Sequence, residues 1–163
     1  MTVIVVTGVP GTGKTTVARA LAKKFKLKYI DIKKVIKDKA LSEGFDKERN
    51  CDIVDEKQLA KVLEGMIKEN VSKGMVIDGH LSHYLKPKFV DVCVVTKCDL
   101  KVLKERLVKR KYSQKKVEEN MEAAIFDICY EEAKQLKHTV KIVDTTKEFS
   151  GKDLSGLVEE KNH

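Results

Sequence analysis

Tryptophan is absent from this 163-residue chain, proline occurs twice, and arginine occurs only at Arg19, Arg49, Arg106 and Arg110. Without Pro/Gly/Ser-rich tracts, repeats or low-complexity stretches, residues 1–163 read as a single domain large enough to hold a core. No apolar run approaches the ~20 residues of a membrane-spanning helix, so no membrane role is expected. Thr2 follows Met1 directly into an apolar run, which leaves no room for a leader peptide, and a cytoplasmic location is expected. The four cysteines, Cys51, Cys93, Cys98 and Cys129, form neither a CxxC pair nor a zinc spacing, which argues against a disulfide scaffold or a zinc module. They are read as ordinary reduced thiols.

What the chain has in quantity is lysine. Its formal net charge is +8, a balance that suits acidic partners such as nucleotides or RNA, although a lysine-rich solvated surface would carry the same charge. The scarcity of arginine makes each one informative, because the guanidinium fork matches phosphate oxygens better than an ammonium does.

The most specific pattern is Gly8-Val9-Pro10-Gly11-Thr12-Gly13-Lys14-Thr15, a glycine-rich phosphate-binding loop. Before it, Val3-Ile4-Val5-Val6 is a β-branched run that reads as a buried strand. After it, Val17, Ala18, Leu21, Ala22 and Phe25 recur at helical spacing. In such a loop Gly11 and Gly13 let backbone amides close around an anion, and the helix N-terminus adds its dipole. Lys14 is expected at the β/γ-phosphates, Thr15 on Mg²⁺ and Thr16 at the α-phosphate.

Strands are expected at 3–7, 28–32, 74–78, 90–96 and 139–143. Helices are expected at about 14–25, 33–41, 56–72, 99–111 and 114–136, with a short one near 151–161. This alternation predicts an α/β fold, with a five-stranded parallel sheet covered by helices on both faces and a ligand site at the strands' carboxyl ends.

That rule picks out Asp78, which closes Met75-Val76-Ile77, as a second Mg²⁺ anchor, with a plain Asp-Gly turn as the competing reading. His80 is placed to orient a water or relay a proton, or else it is an ordinary hydrogen-bonded loop residue. His83 has less to recommend it, and His138 and His163 read as surface residues. Arg106 and Arg110 lie four apart on one helix and converge near its end. With Lys111-Tyr112-Ser113 they read as a short lid over the phosphates, with an RNA-binding or merely solvated basic face as the alternative. Residues 31–55, mixed in charge and containing Gly44, read as a mobile flap able to take a second nucleotide. Asp144-Thr145-Thr146, after the last strand, is a positional candidate for the adenine contact.

Taken together, these residues resemble the nucleoside monophosphate kinases. More closely they resemble the atypical adenylate kinases called coilin-interacting nuclear ATPases, with their archaeal relatives. The likeness is carried by Gly8 through Thr16, Leu27-Lys28-Tyr29-Ile30, Asp78-Gly79-His80, Glu105-Arg106-Leu107 through Tyr112, Glu119-Asn120 and Glu131-Glu132-Ala133. The resemblance implies an ATP-binding core, a monophosphate-binding segment at about 31–54 and a lid at about 109–119. It implies phosphate transfer from ATP to AMP with Mg²⁺, and ATP hydrolysis dependent on Asp78 and His80. It also implies a part in late small-ribosomal-subunit maturation, through transient binding of the platform ribosomal protein numbered eleven and contact with rRNA. A chiefly assembly-factor role and a small-metabolite kinase are the alternatives. One departure stands out: ordinary adenylate kinases have Asp-Gly-Phe-Pro-Arg where this chain has Asp78-Gly79-His80-Leu81-Ser82. The missing arginine leaves the acceptor phosphate to Arg49, to a lysine of the flap, or to weak binding.

Overall fold

A computed structural model describes residues 1–70, 73–147, 149, 151–154 and 156–158. Five parallel strands form the expected sheet: β1 (Val3–Thr7), β2 (Lys28–Asp31), β5 (Met75–Asp78), β6 (Val92–Lys97) and β7 (Val140–Asp144), in the order β2-β5-β1-β6-β7. β1 and β5 are buried along their whole length, and as inner strands they are unbroken apolar runs up to the polar residue that ends each. Alternate side chains serve opposite faces. Val3, Val5, Met75, Ile77, Cys93 and Val95 pack beneath α2 (Ile32–Asp38), α3 (Glu56–Glu69) and Ala133 of α6 (Ile128–Gln135). Ile4, Val6, Val76, Val92 and Val94 pack beneath α1 (Lys14–Phe25). Each such fully buried aliphatic side chain contributes ~1.5–3 kcal/mol.

β1 lies at the centre, where the chain turns to one side for β2 and crosses to the other for β6, so its loop opens at a topological switch point. Register sets the depth of the site: Val6 pairs with Asp78, and Thr7 with Val95. A third apolar cluster, Val9 with Leu103, Leu107 and Val117, clamps the loop to α4 (Leu100–Lys109) and α5 (Gln114–Ile125).

Three sequence expectations need correction. The flap contains an antiparallel hairpin, β3 (Ser42–Asp46) with β4 (Cys51–Val54); its exposed residues carry no clean alternation to announce it. The single helix expected at 114–136 is two helices, α5 and α6, broken at Asp127, whose φ of 53° interrupts the helical path. A short polar residue tolerates that left-handed conformation, and Lys97 holds the Asp127 carboxylate at 2.9 Å. His138 is buried rather than exposed, its Nε2 at 2.7 Å from the His83 carbonyl. The helix expected near 151–161 is represented by a 3₁₀ turn at Gly151–Leu154; residues 155 and 159–161, and His163, lie outside the described residues.

Candidate active site

The loop between β1 and α1 is built tightly. Gly8 has φ 149°, and a Cβ there would run into the hydroxyl and carbonyl of Thr96. Gly13, at φ 85°, precedes α1 as its N-cap and turns the backbone into the helix. The Thr12 hydroxyl donates to the Val9 carbonyl at 2.6 Å and lies 2.7 Å from Thr96 Oγ1. Thr145 Oγ1 donates to the Thr12 carbonyl at 2.6 Å, and Arg106 spans both segments, reaching the Gly11 carbonyl at 3.3 Å and the Thr145 carbonyl at 2.5 Å. The candidate adenine loop at 144–146 is thus anchored to the phosphate loop.

Lys14 extends back across the loop, and its Nζ donates to the Gly8 carbonyl at 2.9 Å. Burial lowers its pKa to about 8, and the cation Arg110 pushes the same way, against opposing pulls from Cys129 and Asp78. A half-buried ammonium held on a backbone carbonyl beside a helix N-terminus is poised to gain from an arriving polyanion. Thr15 and Thr16 are exposed on the first turn of α1.

Asp78 is buried at the end of β5. Its Oδ2 accepts the Thr15 hydroxyl at 2.9 Å and the Tyr29 phenol at 2.6 Å. The expected metal pair is therefore brought together. A hydroxyl and one carboxylate, both hard oxygens, suit Mg²⁺, which fills its remaining positions with water and substrate phosphates. Among the described residues no cluster of three or more His, Cys, Asp or Glu side chains offers an all-protein metal cage.

His80 opens onto a cleft of about 160 Å³ lined also by Val9, Pro10, Asn120 and Glu132. His80 is exposed at the mouth of this cleft; desolvation by the surrounding protein, then the cation Lys14, lowers its pKa to about 4, with smaller contributions from His83, Lys33 and Lys116. The ring is thus neutral at pH 7, with a lone pair able to take a proton. Arg110, at the end of α4, is exposed, 3.4 Å from the Tyr112 hydroxyl, and its charge is felt at Lys14. Both arginines thus bear on the phosphate loop, Arg106 through its hydrogen bond to Gly11 and Arg110 through its charge at Lys14.

Ser82, where ordinary adenylate kinases have arginine, is buried, and its hydroxyl donates to the Val6 carbonyl at 3.1 Å. Arg49 is held by Asp46 at 2.7 Å and by a two-point contact with Glu119. Lys33, at the start of α2, is exposed, and its charge is felt at Lys14, His80 and Tyr112.

Sequence reading assigned no role to Tyr29, Thr7, His83 or Glu132. Tyr29 pairs with Val76 and lies two residues short of the end of β2, so the strand-end rule that singled out Asp78 does not reach it. Nothing in the linear sequence links Thr7, His83 and Glu132.

A sequence model of a family described as an AAA domain matches residues 4–127. The protein named "Putative adenylate kinase" of Methanocaldococcus jannaschii is 36% identical, over 96% of this chain and 82% of its own length. The "Adenylate kinase isoenzyme 6 homolog" of Dictyostelium discoideum is 35% identical, over 80% of this chain and 73% of its own. Among solved structures, the shikimate kinase of Acinetobacter baumannii with bound shikimate superposes with a TM-score of 0.62 at 18% identity, covering 94% of this chain and 88% of that one. That last likeness concerns the fold alone.

Proposed function

The chain belongs to the AAA-domain family and has relatives named putative adenylate kinase and adenylate kinase isoenzyme 6 homolog, and from that premise we propose that it is an ATP:AMP phosphotransferase with intrinsic Mg²⁺-dependent ATPase activity. The relatives' names support a nucleotide kinase. The observation that carries the finer reading is the convergence of Lys14, Thr15, Asp78 and His80 at one loop mouth.

In this reading the backbone of Gly11 and Gly13, with Lys14 and Thr16, cradles the ATP phosphates, and Arg106 keeps that cradle rigid through Gly11 and Thr145. Thr15 and Asp78 hold Mg²⁺, which when bound offsets charge on the phosphoryl oxygens. Arg110 closes from the lid, about 109–119, onto the transferring group. Residues 31–54 take AMP, whose phosphate meets Lys33 rather than an arginine at position 82. When water is the acceptor, neutral His80 receives its proton.

The test is to mix enzyme, ATP and Mg²⁺ with and without AMP and to follow ADP. AMP must raise ADP formation well above the ATP-only rate; no increase removes the phosphotransferase reading.

A second reading has its own support in net charge +8 and in the exposed Ile125, Phe126 and Ile128 at the α5–α6 turn, features suited to a macromolecular partner. Here nucleotide occupancy switches a cytoplasmic assembly factor on and off the small ribosomal subunit, with the platform protein numbered eleven as its protein contact and rRNA beneath. Pull-down with small-subunit proteins at moderate salt tests it. Capture of bulk rRNA alone, lost steeply as salt rises, would leave only a nonspecific basic surface.

A further inference from the structure

Behind the phosphate loop, four side chains from three elements form one chain of hydrogen bonds. Thr7, the last residue of β1, is fully buried, and its Oγ1 lies 2.7 Å from His83 Nδ1. His83 is buried too, and its Nε2 lies 2.8 Å from Glu132 Oε2 on α6. The same carboxylate oxygen accepts the Tyr84 hydroxyl at 2.6 Å. At the other end, Thr7 Oγ1 donates to the backbone carbonyl of His80 at 3.1 Å.

Counting protons fixes the directions. A carboxylate oxygen can only accept, so Nε2 of His83 carries a hydrogen. Thr7 has a single hydroxyl proton to share between the His80 carbonyl and His83 Nδ1, and the Cys129 thiol also hydrogen-bonds it. Both contacts are satisfied together only when Nδ1 also carries a hydrogen and donates to Thr7, which frees the threonine proton for His80. When Nδ1 carries no hydrogen, it draws the threonine proton to itself and the His80 carbonyl loses its donor. The other ionisable groups around this ring are Tyr84 on its own turn, Cys129 on α6, whose thiol hydrogen-bonds Thr7, His80 and Lys14 toward the cleft, and His138, bonded to the His83 carbonyl.

We infer that His83 is a positioning residue for the reaction centre: held by Glu132, it directs the Thr7 hydroxyl onto the His80 carbonyl and so fixes where the His80 ring stands relative to Lys14. The inference rests on the hydrolytic role proposed for His80. It differs from simple core filling, because an apolar residue of similar volume would pack as well but leave Thr7 without the partner that turns its hydroxyl toward His80.

Two variants, His83→Gln and Glu132→Gln, are compared with wild type by thermal melting, by ATP hydrolysis and by the ring ¹H–¹³C resonance of His80 at one fixed pH, assigned with a His80→Gln variant. In His83→Gln the hydrolytic kcat is expected to fall at least fivefold while KM for ATP stays within twofold, and the His80 resonance to shift. Glu132→Gln, which keeps the size of the side chain and its contact with Tyr84, moves both readouts the same way by less. A His80 resonance unmoved in both variants, or kcat unchanged in both, overturns the inference. Should wild type itself fail to hydrolyse ATP, the functional reading falls, and the His80 resonance alone still decides whether His83 positions that loop.

Discussion

Tyr29 and Thr15 donate to the same oxygen of Asp78, from 2.6 and 2.9 Å, so one carboxylate oxygen ties the second strand of the sheet to the first turn of α1. Burial and this bond to Asp78 raise the Tyr29 pKa to about 12, so the phenol remains a donor throughout the working pH range. The guanidinium of Arg19 lies 5.0 Å over its ring and holds it in place. Tyr29→Phe keeps the ring and removes one hydrogen bond to an ionised group, worth ~1.5–3 kcal/mol. The expected result is about a tenfold lower kcat with a raised Mg²⁺ requirement, since 1.4 kcal/mol is a factor of ~10 in rate. A Mg²⁺ titration of initial rates checks it, and an unchanged half-saturating Mg²⁺ concentration would show that Tyr29 does not orient the metal-holding carboxylate.

Lys14 makes the site costly to the free protein. Its folded pKa of about 8 lies below the ordinary 10.5, chiefly through burial. Between those values the unfolded chain binds more protons than the folded one, so this group's contribution to stability rises with pH. Below pH 8 the buried charge is a fixed penalty; it is relieved as pH rises from 8 to 10.5. Lys14→Met should therefore melt higher than wild type at pH 7 without nucleotide, with the difference shrinking across that window, while turnover is abolished. Melting curves at pH 7, 8, 9 and 10 check the sign, and a wild type that melts higher at pH 7 would contradict it.

The sheet was legible because its inner strands are short β-branched runs ending in polar residues, and the loop because glycine, lysine and threonine stand at fixed offsets. Asp78 followed from its place at a strand end. What escaped has a physical cause in each case. The α5–α6 break at Asp127 rests on one left-handed residue and a contact with Lys97, neither visible in a pattern that reads as helix on both sides. The hairpin at 42–54 has exposed strands whose order comes from pairing rather than burial. His83 and Glu132 are 49 residues apart, and His138 lies 55 from its carbonyl partner, so their burial is decided by tertiary packing alone.

The hairpin and the start of α5 are tied together across open solvent. Arg49 makes its two-point contact with Glu119, at 2.8 and 3.1 Å, and Lys115 reaches Glu48 at 2.5 Å. These exposed pairs are weak and screened by salt, so the closed arrangement is easily released. Cys51 on the hairpin is exposed and, with a second cysteine introduced by Glu122→Cys, offers a pair of dye positions for energy transfer. Glu119→Gln is expected to broaden the distance distribution at low salt and to make no difference at high salt. Identical distributions at low salt would mean that the ion pairs do not hold the two segments.

Lys33 is the test of how this chain takes an acceptor phosphate without the arginine of ordinary adenylate kinases. Ser82 is sealed beneath the loop and bonded to Val6, so no longer side chain at that position could reach the cleft without displacing the turn. Arg49 is committed to Asp46 and Glu119. Lys33 remains: exposed at the start of α2, its charge registers at Lys14, His80 and Tyr112, on three separate elements around the cleft. An ammonium there attracts a phosphate as a point charge, without the fixed fork that makes arginine selective. Lys33→Ala should therefore raise KM for AMP about tenfold, a loss of ~1.4 kcal/mol, while ATP-only hydrolysis stays within about twofold. Lys33→Arg should restore most of the affinity, because charge rather than shape is what the position supplies. If KM for AMP is the same in Lys33→Ala as in wild type, the acceptor phosphate is not held from α2, and Arg49→Ala becomes the variant in which a change of AMP affinity must be sought.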